Sequence, residues 1–281
     1  MAVAKAKVRP AKAEDFDTVY PLMQKLNNTR FSREIWQRLF TNLWHKEGWS
    51  PGYVLDTGDR IVGFLGGIYS ETIMGGEPHR VCNLTAWIVE DDYRSNSIML
   101  LMPFLRQKNT TLTSLTSSPE AYAVYKKLGF KDLDSSCRVI YPCPTFKSGL
   151  RIVSDEAEML PLMSDAEQLT YEHHKGLAVR QLVVTDGLEH CYLLMTRRLG
   201  RGHFQLIGNV ALFRKNISGF RRALCKDMDV DTLQVDERFL AGEKLMFSRQ
   251  KTFAQPKQVR GELTGIEVSG AYSELAILAT P

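Results

Sequence analysis

Residues 81–101 read VCNLTAWIVEDDYRSNSIMLL, an apolar run that ends in two aspartates, a short polar stretch, and a second apolar run. The first run alternates, with Asn83, Thr85 and Trp87 on one face of a strand and Cys82, Leu84, Ala86 and Ile88 on the other. Neither face is charged, so the strand is expected to be covered on both sides. The stretch SIMLLMPFLRQ (97–107) has helical spacing. A helix opening directly after a strand presents unpaired N–H groups and the positive end of its dipole, which is where a phosphate can be held. The polar residues 93–97 are therefore either a phosphate loop or an ordinary turn between two buried elements.

Upstream, Phe16, Val19, Tyr20, Met23 and Leu26 recur at helical spacing behind Glu14 and Asp15, with Pro21 expected to kink or restart the helix. Ser32 is a candidate N-cap for a second amphipathic helix carrying Trp36, Leu39, Phe40, Leu43 and Trp44. GYVLDTGDRIVGFLGGIYSE (52–71) reads as a hairpin turning at Thr57-Gly58-Asp59. Downstream, TLTSLT (111–116) is strand-like and PEAYAVYKKLG (119–129) helical, while FKDLD and CRVIYP close the half as strands. Helices interrupting a sheet that begins in hairpins predict an α+β or mixed α/β domain, not a purely doubly wound one.

The turn-rich PCPTFKSG (142–149) marks a boundary, giving domains 1–145 and 150–281. Beyond it the pattern restarts. DEAEMLPLM (155–163) echoes DFDTVYPLM (15–23), and CYLLMTRRL (191–199) and FQLIGNVALF (204–213) are strand-like runs before the helical RKNISGFRRALCKDM. An internal duplication is expected.

A chain of 281 residues, 44% hydrophobic and 24% charged, has an ordinary soluble composition. No apolar run reaches the roughly 18–20 residues that span a bilayer, and the N-terminus lacks an apolar signal core, so no membrane association and a cytoplasmic location are expected. A net charge of +4 without basic blocks gives no support to nucleic-acid binding. Cys82, Cys137, Cys143, Cys191 and Cys225 are scattered, with no zinc spacing, and read as buried thiols. His173-His174 reads as a surface pair, no metal site is expected, and no GxSxG motif is present.

The run from the strand through VEDDYRSNSIMLL to SSPEAYAVYKKLGF resembles the GNAT superfamily of acyl-CoA N-acyltransferases. Val89, Tyr93 and Arg94 fall where that family ends its fourth strand and opens its phosphate loop. Ala121, Tyr125, Lys127, Gly129 and Phe130 match its second motif. The resemblance implies a GNAT-like mixed central sheet flanked by helices, followed by a second, degenerate GNAT-like domain. It also implies acetyl-CoA or another acyl-CoA as cosubstrate and transfer of the acyl group to an amine.

Carried onto this chain, the resemblance assigns cofactor contact to Ile88, Val89, Arg94, Ser95, Asn96, Ser97, Ile98, Met99 and Ser118. Ser97 and Met99 replace the family's two glycines, and Ser118 its asparagine. Tyr125 is the implied general acid for the leaving thiolate, or else a core aromatic. The base is not fixed by any motif: Glu71 and Glu90 are the available carboxylates, or else surface charges. Missing glycines leave open a catalytically silent GNAT-fold binding protein. A further alternative puts the working loop in the second half, at Arg214 and Gly219. The acceptor, the acyl length and the oligomeric state are not written in these motifs.

Overall fold

The computed structural model describes residues 5–41, 44, 46–142 and 149–281, so Leu43, Cys143 and most of the expected boundary at 142–149 lie outside it. Fourteen strands are present among the described residues: β1 (Lys7–Pro10), β2 (Gly52–Asp56), β3 (Ile61–Met74), β4 (Glu77–Val89), β5 (Thr110–Ser114), β6 (Lys131–Leu133), β7 (Ser136–Ile140), β8 (Arg151–Val153), β9 (Arg180–Thr185), β10 (His190–Arg198), β11 (Arg201–Ile207), β12 (Thr232–Asp236), β13 (Ser248–Thr252) and β14 (Lys257–Arg260). The chain divides into two units, neither continuous in sequence. One comprises residues 1–133, 255–264 and 272–278; the other comprises 134–254, 265–271 and 279–281.

The first sheet has the order β1-β2-β3-β4-β5-β14-β6, and the second the order β8-β9-β10-β11-β12-β7-β13. Position for position the two are alike: three antiparallel pairings, one parallel pairing (β4 with β5, β11 with β12), then two antiparallel pairings. Both halves are therefore mixed α/β layers of one topology, as the repeated pattern predicts. The difference from expectation is at the seam. CRVIYP does not close the first sheet; β7 lies between β12 and β13 of the second, and β14 takes the equivalent place between β5 and β6. The two repeats have exchanged a strand, and the expected boundary at 145–150 falls within the second unit.

In the first unit β3 buries ten consecutive residues, Ile61–Ser70, so both of its faces are covered. Gly67 permits this: a Cβ there would stand 2.6 Å from Phe104 Cε1 and 3.1 Å from Cys82 Sγ. The helix Phe16–Gln24 runs through Pro21 and buries Phe16, Val19, Leu22 and Met23. Ser32 caps Arg33–Gln37, a helix shorter than predicted; Phe40, beyond it, stacks on Phe64 at 5.2 Å.

In the second unit the apolar VALF (210–213) is helical, not strand: Gly208-Asn209 ends β11, and the Asn209 side chain accepts from Leu212 N at 2.9 Å. A short apolar run does not distinguish the two states by itself. His173 and His174 are not a surface pair. Consecutive helical residues point roughly 100° apart, and His174 is fully buried, its ring nitrogens 2.8 Å from Thr170 O and 2.7 Å from Ala271 O. The four described cysteines are buried, and desolvation raises the thiol pKa of Cys82 and Cys191, the latter to about 12. Among the described residues no helix is long and apolar enough to cross a membrane, and no group of three His, Cys, Asp or Glu side chains could hold a metal.

Candidate active site

The parallel pairing of β4 with β5 runs from Arg80↔Thr110 to Asn83↔Thr113 and stops. β4 continues to Val89, whereas β5 ends at Ser114, so the last residues of β4 have no strand partner on that side among the described residues. A bulge bends the strand at this place. Against β3, Phe64 pairs with Ile88 but Gly66 with Thr85, which leaves one extra residue in β4, and Ala86 has φ 50°. A one-residue insertion flips every later side chain to the opposite face. The predicted face Asn83, Thr85, Trp87 is broken accordingly. Asn83 is buried with its amide 3.1 Å from Thr113 Oγ1, while Trp87 and Val89 join Cys82 and Leu84 in the opposite core.

The flip brings Trp87 onto Tyr125, ring centroids 5.4 Å apart and 30° from parallel. Tyr125 lies on the helix Pro119–Lys127, whose end explains the spacing of the AYAVYKKLGF stretch. Gly129 takes φ 83° beyond the last turn, Phe130 N donates to Tyr125 O at 3.1 Å, and the Phe130 ring packs on Tyr125 at 4.8 Å. Gly129 and Phe130 thus lock the tyrosine in place. Tyr125 is 2% exposed, and burial, with Glu274 and Cys82 nearby, raises its pKa, an effect that Ser114 partly offsets. Ser114 Oγ is in turn 2.7 Å from Ser117 Oγ.

Sequence reasoning missed Glu274. It begins the helix Glu274–Ile277, which belongs to the same unit as Tyr125 although nearly 150 residues separate the two. Ser273 caps this helix, and Arg38 donates to Ile277 O at 3.4 Å. Glu274 is 8% exposed; one carboxyl oxygen accepts from Thr116 Oγ1, just past β5, and the other has no partner among the described residues. Desolvation pushes its pKa up to about 7. The folded state thus holds this proton more tightly than the unfolded chain, and the group's penalty is absent below about pH 4.5 and complete above about pH 7. Glu274→Gln is expected to be more stable than the natural chain at pH 8, by up to about 3 kcal/mol, with no difference at pH 4; urea unfolding of the two proteins at both pH values checks the sign.

The expected phosphate loop has another form. Asp91–Leu100 winds as a continuous 3-10 helix, followed only by the short α-helix Met102–Leu105. With no glycine to take a positive φ, the stretch has no loop to open. Tyr93 and Leu100 are buried, whereas Ile98 and Met99 are 39% and 40% exposed. Arg94 pairs with Asp91 at 2.9 Å, Ser95 Oγ donates to Asn96 Oδ1 at 3.1 Å, and Asn96 Nδ2 donates to Met99 Sδ at 3.6 Å; Ser97 is half-buried. Ser118 is the N-cap of the Tyr125 helix and accepts from Ala121 N at 3.2 Å. Of the two expected bases, Glu90 is paired with Arg60 at 2.7 Å and Lys25 at 3.5 Å, and Glu71 with Lys46. The structure brings Trp87, Ile88, Val89 and Tyr125 to the parted strands and leaves Arg94 and Glu71 in surface ion pairs.

The second unit repeats the parting. β11 pairs with β12 only through His203↔Gln234 and carries its own extra residue between Phe204 and Leu206. There, however, Gly270 N donates to Gln205 O at 2.9 Å, so the chain's own segment 265–271 occupies the bulge. RKNISG is no loop but the junction of the helices Val210–Lys215 and Ile217–Asp227, with Gly219 buried. Arg214 donates to Phe239 O at 2.6 Å and Arg238 O at 3.3 Å. A working cofactor loop at Arg214 and Gly219 finds no counterpart in this geometry.

No protein-family model and no curated protein matches the chain. Solved structures do. A conserved protein of unknown function from Enterococcus faecalis V583 superposes with a TM-score of 0.61 at 11% identity, over 91% of this chain and 72% of that one. A GCN5-related N-acetyltransferase from Anabaena variabilis gives 0.59 at 12% identity with the same coverage. A protein from Pyrococcus horikoshii gives 0.57 at 14% identity, over 98% of this chain and 97% of its own. With two sheets of one order, the chain has the fold of the GCN5-related N-acetyltransferases, built twice in tandem.

Proposed function

We propose that this chain is an N-acyltransferase that moves an acetyl or other acyl group from acyl-CoA to an amine. The observation that carries the reading is the unpaired edge of β4 after Asn83, beside the buried Tyr125. A pantetheine arm is a chain of amides, and an open strand edge can pair with it as it would with a strand. The edge is half-exposed from Thr85 to Glu90, which leaves it accessible. Backbone N–H groups near Ile88 and Val89 would polarise the thioester carbonyl, and the Tyr125 hydroxyl would hand a proton to the leaving sulfur. Phosphates would meet Arg94, once it exchanges Asp91 for them, with Ser95, Asn96 and Ser97 beside it.

A second reading, a catalytically silent protein of this fold, is favoured by that same segment, where Asp91 and Asp92 open a 3-10 helix with no glycine. Calorimetric titration with acetyl-CoA and CoA separates the two. The transferase reading expects micromolar binding that weakens about tenfold in Arg94→Ala, since a charged phosphate contact contributes roughly 1.5 kcal/mol or more. No heat from either ligand would favour the silent binder. With a turnover assay in hand, Tyr125→Phe is expected to slow thiol release by roughly 100-fold, the lower end for a lost general acid because a thiolate already leaves well; unchanged release would assign Tyr125 to packing alone.

A further inference from the structure

We propose that Glu274 is the catalytic carboxylate that takes the proton given up by the acceptor nitrogen, a role that rests on the transferase reading above. Three observations bear it. The carboxyl is buried, yet one of its oxygens meets no donor among the described residues, and native chains seldom leave such an oxygen empty. An amine bound beside it would supply the missing N–H.

Its place is the second observation. Thr116, which donates to its other oxygen, follows β5 just after that strand has parted from β4, and Tyr125 stands close enough for its hydroxyl to be perturbed by the carboxyl charge. Among the described residues the neutral Thr116 meets Glu274 from the β5 side, Tyr125 on the Pro119–Lys127 helix lies within reach of its charge, and Arg38 caps the far end of its own helix at Ile277 O. Among the described residues no cation is bonded to the carboxylate oxygens to quench their basicity. Thirdly, the carboxylates expected from sequence are engaged elsewhere: Glu90 by Arg60 and Lys25, Glu71 by Lys46. A titration midpoint near neutrality would keep a useful fraction of Glu274 ionised at working pH.

The amine lone pair forms the C–N bond to the thioester carbon, the C–S bond breaks, and its electron pair leaves on sulfur. The proton lost by nitrogen goes to the free oxygen of Glu274. Sulfur takes its proton from Tyr125, and solvent returns the proton on Glu274 to the tyrosine, so both groups end as they began.

The test compares the natural protein with Glu274→Gln and Glu274→Asp, measuring acetyl-CoA affinity by calorimetry and thiol release with spermidine, glucosamine and lysine amide between pH 5.5 and 9. The expected result is an affinity unchanged within about threefold and a kcat at least about 100-fold lower in Glu274→Gln. The acidic limb of the rate profile should vanish in that variant, and Glu274→Asp should recover part of the rate together with the limb. Equal rates, or an acidic limb that survives in Glu274→Gln, overturn the assignment while the transferase reading stands. Failure of the natural protein to bind acetyl-CoA overturns both. If acetyl-CoA binds but none of the three amines reacts, the protonated-carboxyl infrared band that is missing from Glu274→Gln decides. A band displaced by bound acetyl-CoA supports the carboxyl's place at the thioester, and an unmoved band overturns it.

Discussion

Truncation after Ala254 is expected to abolish the cooperative folding of the first unit. The lost segment is no appendage to the sheet. β14 is an interior strand, paired with β5 through Gln258↔Ser114 and with β6 through Gln258↔Asp132, and Gln258 and Val259 are 0% and 1% exposed. Without it β5 becomes an edge, β6 loses its partner, and the buried Leu263, Ile277 and Leu278 go as well. Each such apolar side chain contributes about 1.5–3 kcal/mol when buried. Together with the lost ladder, that is comparable to the roughly 5–15 kcal/mol that holds a domain together. Hydrogen exchange of the Thr110–Ser114 amides is the direct readout: they should exchange freely in the truncated chain, and retained protection would show that the first sheet stands without its returned strand.

The second large effect is expected at Arg138 and Glu237 in the other unit. Arg138 lies on β7, and its guanidinium forks onto Glu237, Nε to Oε1 and Nη2 to Oε2 at 3.0 Å, with the side chains only 14% and 8% exposed. Removing one partner leaves a charge that water cannot easily reach, at about 3–5 kcal/mol. Glu237→Ala should lower the urea midpoint of this unit accordingly. The double replacement Arg138→Met with Glu237→Leu should recover most of that loss, because an apolar pair carries no orphaned charge. A single variant within about 0.5 kcal/mol of the natural protein would mean that solvent reaches the guanidinium after all.

Both predictions depend on features of unequal visibility in the sequence. The hairpin at Thr57-Gly58-Asp59, the Phe16–Gln24 helix and the Gly129-Phe130 stop were legible because turn chemistry, apolar period and helix capping are local. The repeat was legible as well, since two copies of one pattern need only be compared. The exchange of β7 for β14 was not: both are strands of only four or five residues, too short to carry a local cue to the sheet they join. The bulge was hidden for a different reason. Ala86 at φ 50° carries no local cue, yet it reverses which side chains of β4 face the core, and so carries Trp87 away from the face of Asn83 to the ring that covers Tyr125. At the candidate site, Tyr125 was singled out through the resemblance of its stretch to the family's second motif, whereas Glu274 lies far along the chain and only the topology buries it beside β5.

The exchanged strands also bear on how the protein is made. A ribosome releases residues 1–133 long before Lys257–Arg260, and the sheet begun by β1–β6 lacks an interior member until then. At about 5–20 residues per second, the intervening stretch takes roughly 6–25 seconds to synthesise. For that interval the nascent first half exposes an unfilled gap between β5 and β6, a template for any extended segment nearby. The first sheet is therefore complete only once Lys257–Arg260 has been synthesised, however early its other strands emerge.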